Sequence, residues 1–154
     1  MTTTLANLAE KQVELRNQVK LIAQENVQPA LKQAFEELQS VIPNLEAIRW
    51  QQYTPHFNDG EACEFGLHGV YYKLQDKTEG GDNGDGYEYI STYGKYNPQT
   101  GLNDEGLNKT QVDSLNTFSK NLCDIEEMLQ VAFDDHAEVT LLATSIEVEE
   151  YSHD

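Results

Sequence analysis

The chain has few of the features that mark secreted proteins, metalloproteins and membrane proteins. It contains only two cysteines, Cys63 and Cys123, and their spacing suggests neither a disulfide framework nor a zinc site. We interpret both as reduced, half-buried thiols. No apolar run approaches the roughly 18 residues that span a membrane, and no signal peptide precedes the first predicted helix. We therefore expect no membrane association and a cytoplasmic location.

The motifs of common catalytic and nucleotide-binding sites are also missing. The sequence has no H-E-x-x-H, no G-x-S-x-G, no Walker loop and no G-x-G-x-x-G. The acidic loop at 75–86, QDKTEGGDNGDG, fails as an EF-hand because Gly81 and Thr92 would fall where the calcium loop needs acidic residues. These absences favour a non-enzymatic protein without a cofactor.

Basic residues are scarce, and the acidic excess is uneven. The chain has 10 Lys and Arg against 27 Asp and Glu, a formal net charge of -17. Residues 1–50 carry five basic and six acidic residues, whereas residues 51–154 carry five and 21. Such a surface repels nucleic-acid phosphates and attracts basic partners. Acidity also keeps small proteins soluble, so both interpretations stay open at this point.

The densest cluster of aromatic and turn-forming residues is the stretch 49–67, RWQQYTPHFNDGEACEFGL. Two β-favouring runs flank Asn58-Asp59-Gly60, which predicts a hairpin with its turn at the glycine. We expect Cys63, Phe65, Leu67 and Tyr71 to share one face of the second strand, and Tyr72 to point the other way.

This stretch resembles a group of uncharacterised bacterial and phage proteins with the pattern W-x-Q-Y-T-P-x-F-N-D-G. The matching residues are Trp50, Gln52, Tyr53, Thr54, Pro55, Phe57, Asn58, Asp59 and Gly60. A second match comprises Asp135-His136 and the end of the chain at 146–154, IEVEEYSHD. The resemblance implies no activity. Because it is concentrated in separate pieces, we expect Asp135-His136 and the C-terminus to pack against the central hairpin.

The N-terminal region is predicted to be helical. An apolar stripe at a 3-4 alternation, with amides at two remaining positions, is typical of a helix–helix seam. Its members are Leu5, Leu8, Gln12, Leu15, Val19, Ile22 and Asn26. Pro29 predicts a break or kink near Gln28, followed by a second helix that ends at Pro43. We expect an arm at 1–43, an acidic domain at 44–154 and a homodimer through the arm; the alternative is an intramolecular αα-hairpin.

The rest of the chain predicts three more strands and one long helix. A strand is expected at Tyr87–Tyr93, a helix from about Asn108 to Phe133 with a bend near Asp124, and a final hairpin. In that hairpin Val139 and Leu141 should lie opposite Ile146 and Val148. The sequence therefore predicts an α+β fold with about five antiparallel strands and the helices on one face of the sheet.

Two residue classes are candidates for function. Histidines and carboxylates able to bind a metal or to act as acid and base are His56, Asp59, Glu61, Asp135, His136, Glu149, Glu150, His153 and Asp154. Their spacing shows no metal-site motif, whereas the tyrosines and the tryptophan are typical interface anchors. The predicted binding residues are Trp50, Gln52, Tyr53, Phe57, Asp59, Tyr72, Tyr89, His136, Glu149 and His153.

Three functions are compatible with these observations. The first is a non-enzymatic interaction protein that binds a basic surface, such as that of a nucleic-acid-binding protein, without contacting nucleic acid itself. With the phage resemblance it would act as an inhibitor or decoy in the host cytoplasm. The second is a small-ligand or nucleotide binder with a basic pocket formed by Arg49, Lys73 and Lys95. The third is a metal-assisted hydrolase.

Overall fold

The computed structural model describes residues 3–55, 64–75, 85–90 and 95–151. They form five antiparallel strands in one sheet, in the order β3-β2-β1-β4-β5, and three helices. The elements are α1 (Leu5–Val41), β1 (Leu45–Tyr53), β2 (Gly66–Leu74), β3 (Tyr87–Tyr89), α2 (Lys109–Asp124), α3 (Glu126–Phe133), β4 (Ala137–Leu142) and β5 (Ile146–Glu150). The predicted α+β class is confirmed. No helix in the described part is long and apolar enough to cross a membrane.

The first helix is continuous, so the predicted break at Pro29 is wrong. Thr4 caps its N-terminus by accepting a hydrogen bond from the backbone N–H of Asn7 at 3.1 Å. Pro29 has no backbone N–H to donate to the carbonyl four residues earlier. Because Pro29 lies on the exposed side of the helix, this carbonyl faces solvent and can accept a hydrogen bond from water. The buried side chains of Val27 and Leu31 on either side hold the helix against the core.

The two halves of α1 have different surroundings. From Ala23 onwards one residue in each turn is buried in the core shared with the sheet: Ala23, Val27, Leu31, Phe35 and Leu38. The boundary at residue 43 therefore separates secondary structures and not two cores. Towards the N-terminus the apolar stripe is exposed, with Leu5 at 85% and Leu15 at 55% of their full exposure. The alternative of an intramolecular αα-hairpin is wrong, because α1 never folds back on itself.

The central strand β1 pairs with β2 on one side and β4 on the other. Its pairing with β2 confirms the predicted antiparallel partner, but β2 begins at Gly66, whereas the predicted turn at Asn58-Asp59-Gly60 and Cys63 lie outside the described residues. Tyr71 and Tyr72 point to opposite faces of β2 as predicted, but the prediction that Leu67 and Tyr71 share one face is wrong. A register shift places both Leu67 and Val70 on the face that the helices cover, and Gly69, at φ +93°, lies within it. This β-bulge turns Tyr72 into the core and Tyr71 to the opposite face.

From α2 onwards the structure agrees with the predicted elements, whereas β3 ends at Tyr89 and the last three residues of the strand predicted at Tyr87–Tyr93 lie outside the described residues. Asn108 and Gln111 form a capping box at the start of α2, and the chain bends at Asp124-Ile125, where α3 begins. In the last hairpin Val139 lies opposite Val148 and Leu141 opposite Ile146, which confirms that these two pairs of apolar residues lie opposite each other. Cys123 is a free thiol, and it is exposed instead of half-buried.

Candidate functional site

The sheet has two unlike faces. The described helices all pack on one face, which carries Ile48, Trp50 and Gln52 of β1 and the rest of the core. We call the opposite side the second face. Because side chains alternate along a strand, its members are Arg49, Gln51, Tyr53, Tyr71, Lys73, Tyr87, Tyr89, Glu138, Thr140, Glu147 and Glu149. This face is polar and aromatic, so any function of the sheet is sought there.

Trp50 and Gln52 form a buried polar network that holds the sheet to α3. Both side chains are 0% exposed. The indole Nε1–H of Trp50 donates to Gln52 Oε1 at 2.9 Å, and Gln52 Nε2 donates to the carbonyls of Leu129 at 3.0 Å and Asp134 at 2.7 Å. Every polar group in this network is paired inside the protein. The prediction that Trp50 and Gln52 bind a partner is therefore wrong, and their role is structural.

The network places the end of α3 so that Asp135 meets the end of β1. One Asp135 carboxylate oxygen accepts a hydrogen bond from the Thr54 backbone N–H at 2.7 Å, and the other accepts from Thr54 Oγ1 at 2.6 Å. Burial alone would raise the pKa of Asp135, but these bonds and one from the His136 backbone N–H outweigh it and lower the pKa. Asp134 and His136 on either side have positive φ angles of 69° and 54°.

Aromatic rings gather around Tyr53 at the same end of the sheet. The His68 ring stacks on Tyr53 with centroids 3.8 Å apart, and a His68 ring nitrogen lies 3.1 Å from the Tyr53 carbonyl oxygen. The rings of Tyr151 and His136 lie 5.5 and 6.3 Å from Tyr53. Burial raises the pKa of Tyr53, and repulsion between the ionised hydroxyl groups of Tyr53 and Tyr151 raises it further. We call these four residues the Tyr53 cluster.

The Tyr53 cluster tests the expectation that the matched pieces of sequence meet. Asp135, His136 and Tyr151 all contact the end of β1, so the packing is confirmed for these three residues. The backbone also joins them, because the Tyr151 N–H donates to the His136 carbonyl at 2.6 Å. The remaining predicted partners, Asp59 and His153, lie outside the described residues. Sequence reasoning missed His68, because sequence spacing does not indicate that its ring stacks on Tyr53.

The cations of the second face are already paired. Arg49 forms two ion pairs, from Nη1 to Asp85 Oδ2 at 3.1 Å and from Nε to Glu138 Oε1 at 3.4 Å. Its guanidinium carbon also lies 3.9 Å from the centroid of the Tyr87 ring. Lys73 forms an ion pair with Glu46 at 3.0 Å. These contacts leave little positive charge to attract a phosphate group.

The predicted nucleotide pocket does not form. Lys95 lines a pocket on the helix-covered side, together with Glu88, Asp104 and Glu105, so it lies across the sheet from Arg49. Tyr72 also lines this pocket but is only 6% exposed. Burial is the main cause that raises the pKa of its hydroxyl, and the negative charges of Glu105 and Glu88 raise it further. The prediction of Tyr72 as a surface binding residue is wrong, and an acidic pocket disfavours a nucleotide.

A metal centre has no support from the described residues. Across 3–55, 64–75, 85–90 and 95–151, no three His, Cys, Asp or Glu side chains converge on a point that could hold an ion. Of the residues considered for such a site, Asp135 and His136 lie beside Tyr53, whereas Glu149 and Glu150 are exposed on β5. His56, Asp59, Glu61, His153 and Asp154 lie outside the described residues.

A row of exposed acidic side chains lies on β5, at one edge of the sheet. Ile146 is partly buried, and the four following residues are all exposed, with Val148 at 48%. Glu147, Glu149 and Glu150 take part in none of the salt bridges found among the described residues. This strand therefore presents negative charge to solvent, unlike the paired charges around Arg49.

Four of the predicted binding residues lie on the second face or beside it. Tyr53 and His136 are partly buried in the Tyr53 cluster, whereas Tyr89 on β3 and Glu149 on β5 are exposed. Phe57, together with Asp59 and His153, lies outside the described residues. The candidate site is thus the second face, with the Tyr53 cluster at one end and the β5 glutamates along one edge.

Comparisons with known proteins add no function to this site. No protein-family model matches the chain, and neither the curated proteins nor the solved structures contain a match to it. The function must therefore be inferred from the chemistry of the second face.

Proposed function

We propose that this protein is a non-enzymatic interaction protein whose acidic surface binds a basic surface of a partner protein. The observation that carries the proposal is the row of exposed glutamates on β5, Glu147, Glu149 and Glu150, which lack counter-ions in the described structure. Charges already paired inside a protein have little to offer a partner, whereas unpaired exposed ones steer and orient it.

The partner's chemistry follows from the charge of this surface. A basic patch that normally binds nucleic-acid phosphates would also attract a row of carboxylates, so the protein would compete with nucleic acid for that patch. The resemblance to phage proteins supports the role of an inhibitor or decoy acting in a host cytoplasm. The nucleotide-binding and hydrolase alternatives receive less support, because Arg49 and Lys73 are paired and no described residues form a metal site.

Binding of a lysine-rich peptide, measured by fluorescence anisotropy at low and high salt, tests the proposal. The triple variant Glu147→Gln, Glu149→Gln and Glu150→Gln should weaken binding about tenfold or more, and added salt should weaken binding to the wild type. The matched control is Glu10→Gln, Glu36→Gln and Glu127→Gln, which removes three exposed charges elsewhere. Equal weakening by both triple variants would show that only net charge matters and would contradict the proposal.

We also propose that the first half of α1 binds a second copy of the chain. Four apolar side chains of its stripe are exposed, Leu5, Leu8, Leu15 and Ile22. Residues 5–22 carry three basic and two acidic residues, so two such segments can approach each other, whereas residues 51–154 would repel. A narrow apolar stripe at this spacing suits a coiled coil.

A further inference from the structure

The pairing of β4 with β5 determines which backbone groups of β5 form hydrogen bonds within the sheet. The Leu142 N–H donates to the Ser145 carbonyl at 2.9 Å, and the Tyr151 N–H donates to the His136 carbonyl at 2.6 Å. Hydrogen-bonded pairs alternate with non-hydrogen-bonded pairs along an antiparallel ladder. The register between these two pairs has no shift, so Glu147 and Glu149 also direct their backbone groups towards β4.

The intervening residues of β5 direct their backbone N–H and C=O groups outwards. They are Ile146, Val148 and Glu150. β5 is the last strand of the sheet, and no strand in the described part pairs with its outer side. The strand is also regular and exposed over its last four residues, without the bulge or proline that often protects an edge. The edge is therefore a template for one more strand.

We propose that the outer edge of β5 takes up an extended basic segment of the partner as a sixth strand of the sheet. This inference rests on the proposed function and specifies its mode of binding. Addition of a strand to a sheet edge is a common form of peptide recognition, in which backbone hydrogen bonds give affinity and alternate side chains give specificity. In β5 the outward backbone groups of Ile146, Val148 and Glu150 would give affinity, and the neighbouring carboxylates would give specificity.

The side chains of β5 define the pattern of the segment. Glu147 and Glu149 lie on the second face, and Val148 points to the other side with nearly half of its surface exposed. Residues directly opposite each other on neighbouring strands share a face, and opposite charges there are favourable. The segment should therefore carry Lys or Arg at two alternate positions, with an apolar residue between them opposite Val148.

A second copy of β5 does not fit the same edge. Antiparallel pairing of two β5 strands about Val148 would place Glu147 of one copy opposite Glu149 of the other, twice. Like charges directly opposite each other destabilise a strand pair. The glutamates thus prevent edge-to-edge self-association and at the same time select a basic strand.

Two peptides of equal charge test whether the basic partner binds as a strand. One alternates lysine with apolar or β-branched residues, Lys-Val-Lys-Thr-Lys-Val-Lys, and the other has the same composition in blocks, Lys-Lys-Lys-Lys-Val-Val-Thr. We expect the alternating peptide to bind wild-type protein about tenfold more tightly than the block peptide. Equal affinity would overturn strand addition.

Val148→Pro removes one outward donor without removing a hydrogen bond to β4, so the hairpin should tolerate it. It should weaken binding of the alternating peptide about tenfold, whereas Val148→Thr, which keeps the donor, should change it less than threefold. Circular dichroism checks the fold, and if Val148→Pro is unfolded, Glu150→Pro replaces it and is compared with Glu150→Gln, which loses the same charge but keeps the outward donor.

The outcomes separate this inference from the proposed function. If the proline variant binds as tightly as wild type while the triple glutamine variant loses binding, the acidic surface is used but strand addition is overturned. If neither peptide binds wild-type protein at low salt, both the proposed function and the strand addition are overturned. Selective loss with Val148→Pro, together with preference for the alternating peptide, supports strand addition.

Discussion

β1 and β5 belong to the same sheet, yet their residues are used in opposite ways. In β1, Ile48, Trp50 and Gln52 are fully buried, and Arg49 is held by Asp85 and Glu138. In β5 four of five residues are exposed, and its glutamates have no ion pair in the described structure. The difference shows that the aromatic motif of the central strand holds the fold together, whereas the acidic edge strand leaves its charged side chains exposed to solvent.

Removing the Trp50 side chain should lower the stability of the protein more than any of the other substitutions. A small effect would contradict the contrast between the buried strand β1 and the exposed strand β5. Trp50→Ala leaves a cavity beside Phe133, whose ring packs edge-on at 6.3 Å, and removes the donor to Gln52. We expect the free energy of unfolding to fall by about 3 to 5 kcal/mol, measured by urea denaturation. The control Val148→Ala, at the exposed edge, should change it by less than about 1 kcal/mol. Equal losses in both variants would contradict the division between core and edge strands.

The hydrogen bonds between Asp135 and Thr54 should make a smaller, pH-dependent contribution to the free energy of unfolding. Because the folded-state pKa of Asp135 is lowered, its charged form stabilises the fold above the unfolded-state pKa of about 3.9, and this contribution is lost as the pH falls through the folded-state pKa. Asp135→Asn should therefore cost about 1 kcal/mol at pH 7 and progressively less below about pH 4.

Urea denaturation of both proteins at pH 7 and pH 3 measures this difference. The control is Asp113→Asn, on the exposed side of α2, which should cost less than about 0.5 kcal/mol at either pH. A loss for Asp135→Asn that stays the same at both pH values would refute the role of its charge.

Substitution in the first half of α1 should have almost no effect on the stability of the body. Leu15→Glu with Val19→Glu places two charges in the exposed stripe, so a homodimer should dissociate while the melting temperature of the sheet stays nearly constant. Light scattering at micromolar concentration measures the mass. The matched control, Asn17→Glu with Gln24→Glu, adds the same charge outside the stripe and should leave the dimer intact. A wild-type protein that is already monomeric would rule out self-association through α1.

Local periodicity was sufficient to predict most of the architecture. The spacing of apolar residues predicted the helices, and alternation predicted the last hairpin with Val139 and Leu141 opposite Ile146 and Val148. Pro29 was misleading because burial of Val27 and Leu31 on either side outweighs the loss of one hydrogen bond on the exposed side of α1. Tertiary packing therefore overrides a strong local breaker.

The candidate site was harder to predict because its contacts join distant parts of the chain. Arg49 pairs with Asp85 and Glu138, and sequence spacing does not indicate either partner. The bulge at Gly69 exchanges the faces of Tyr71 and Tyr72, so strict alternation selected Tyr72 as a binding residue although it lies in the core. A glycine inside a strand pattern was the one available indication of such a bulge.

Amide hydrogen exchange along β5, with and without the alternating lysine peptide, tests the central claim most directly. In the free protein the outward amides of Ile146, Val148 and Glu150 should exchange faster than the inward amides of Glu147 and Glu149. Saturating peptide should slow the three outward amides by about tenfold or more, because each gains a backbone acceptor or is covered by the added strand. Binding that leaves their exchange unchanged would contradict the assignment of the β5 edge as the docking strand.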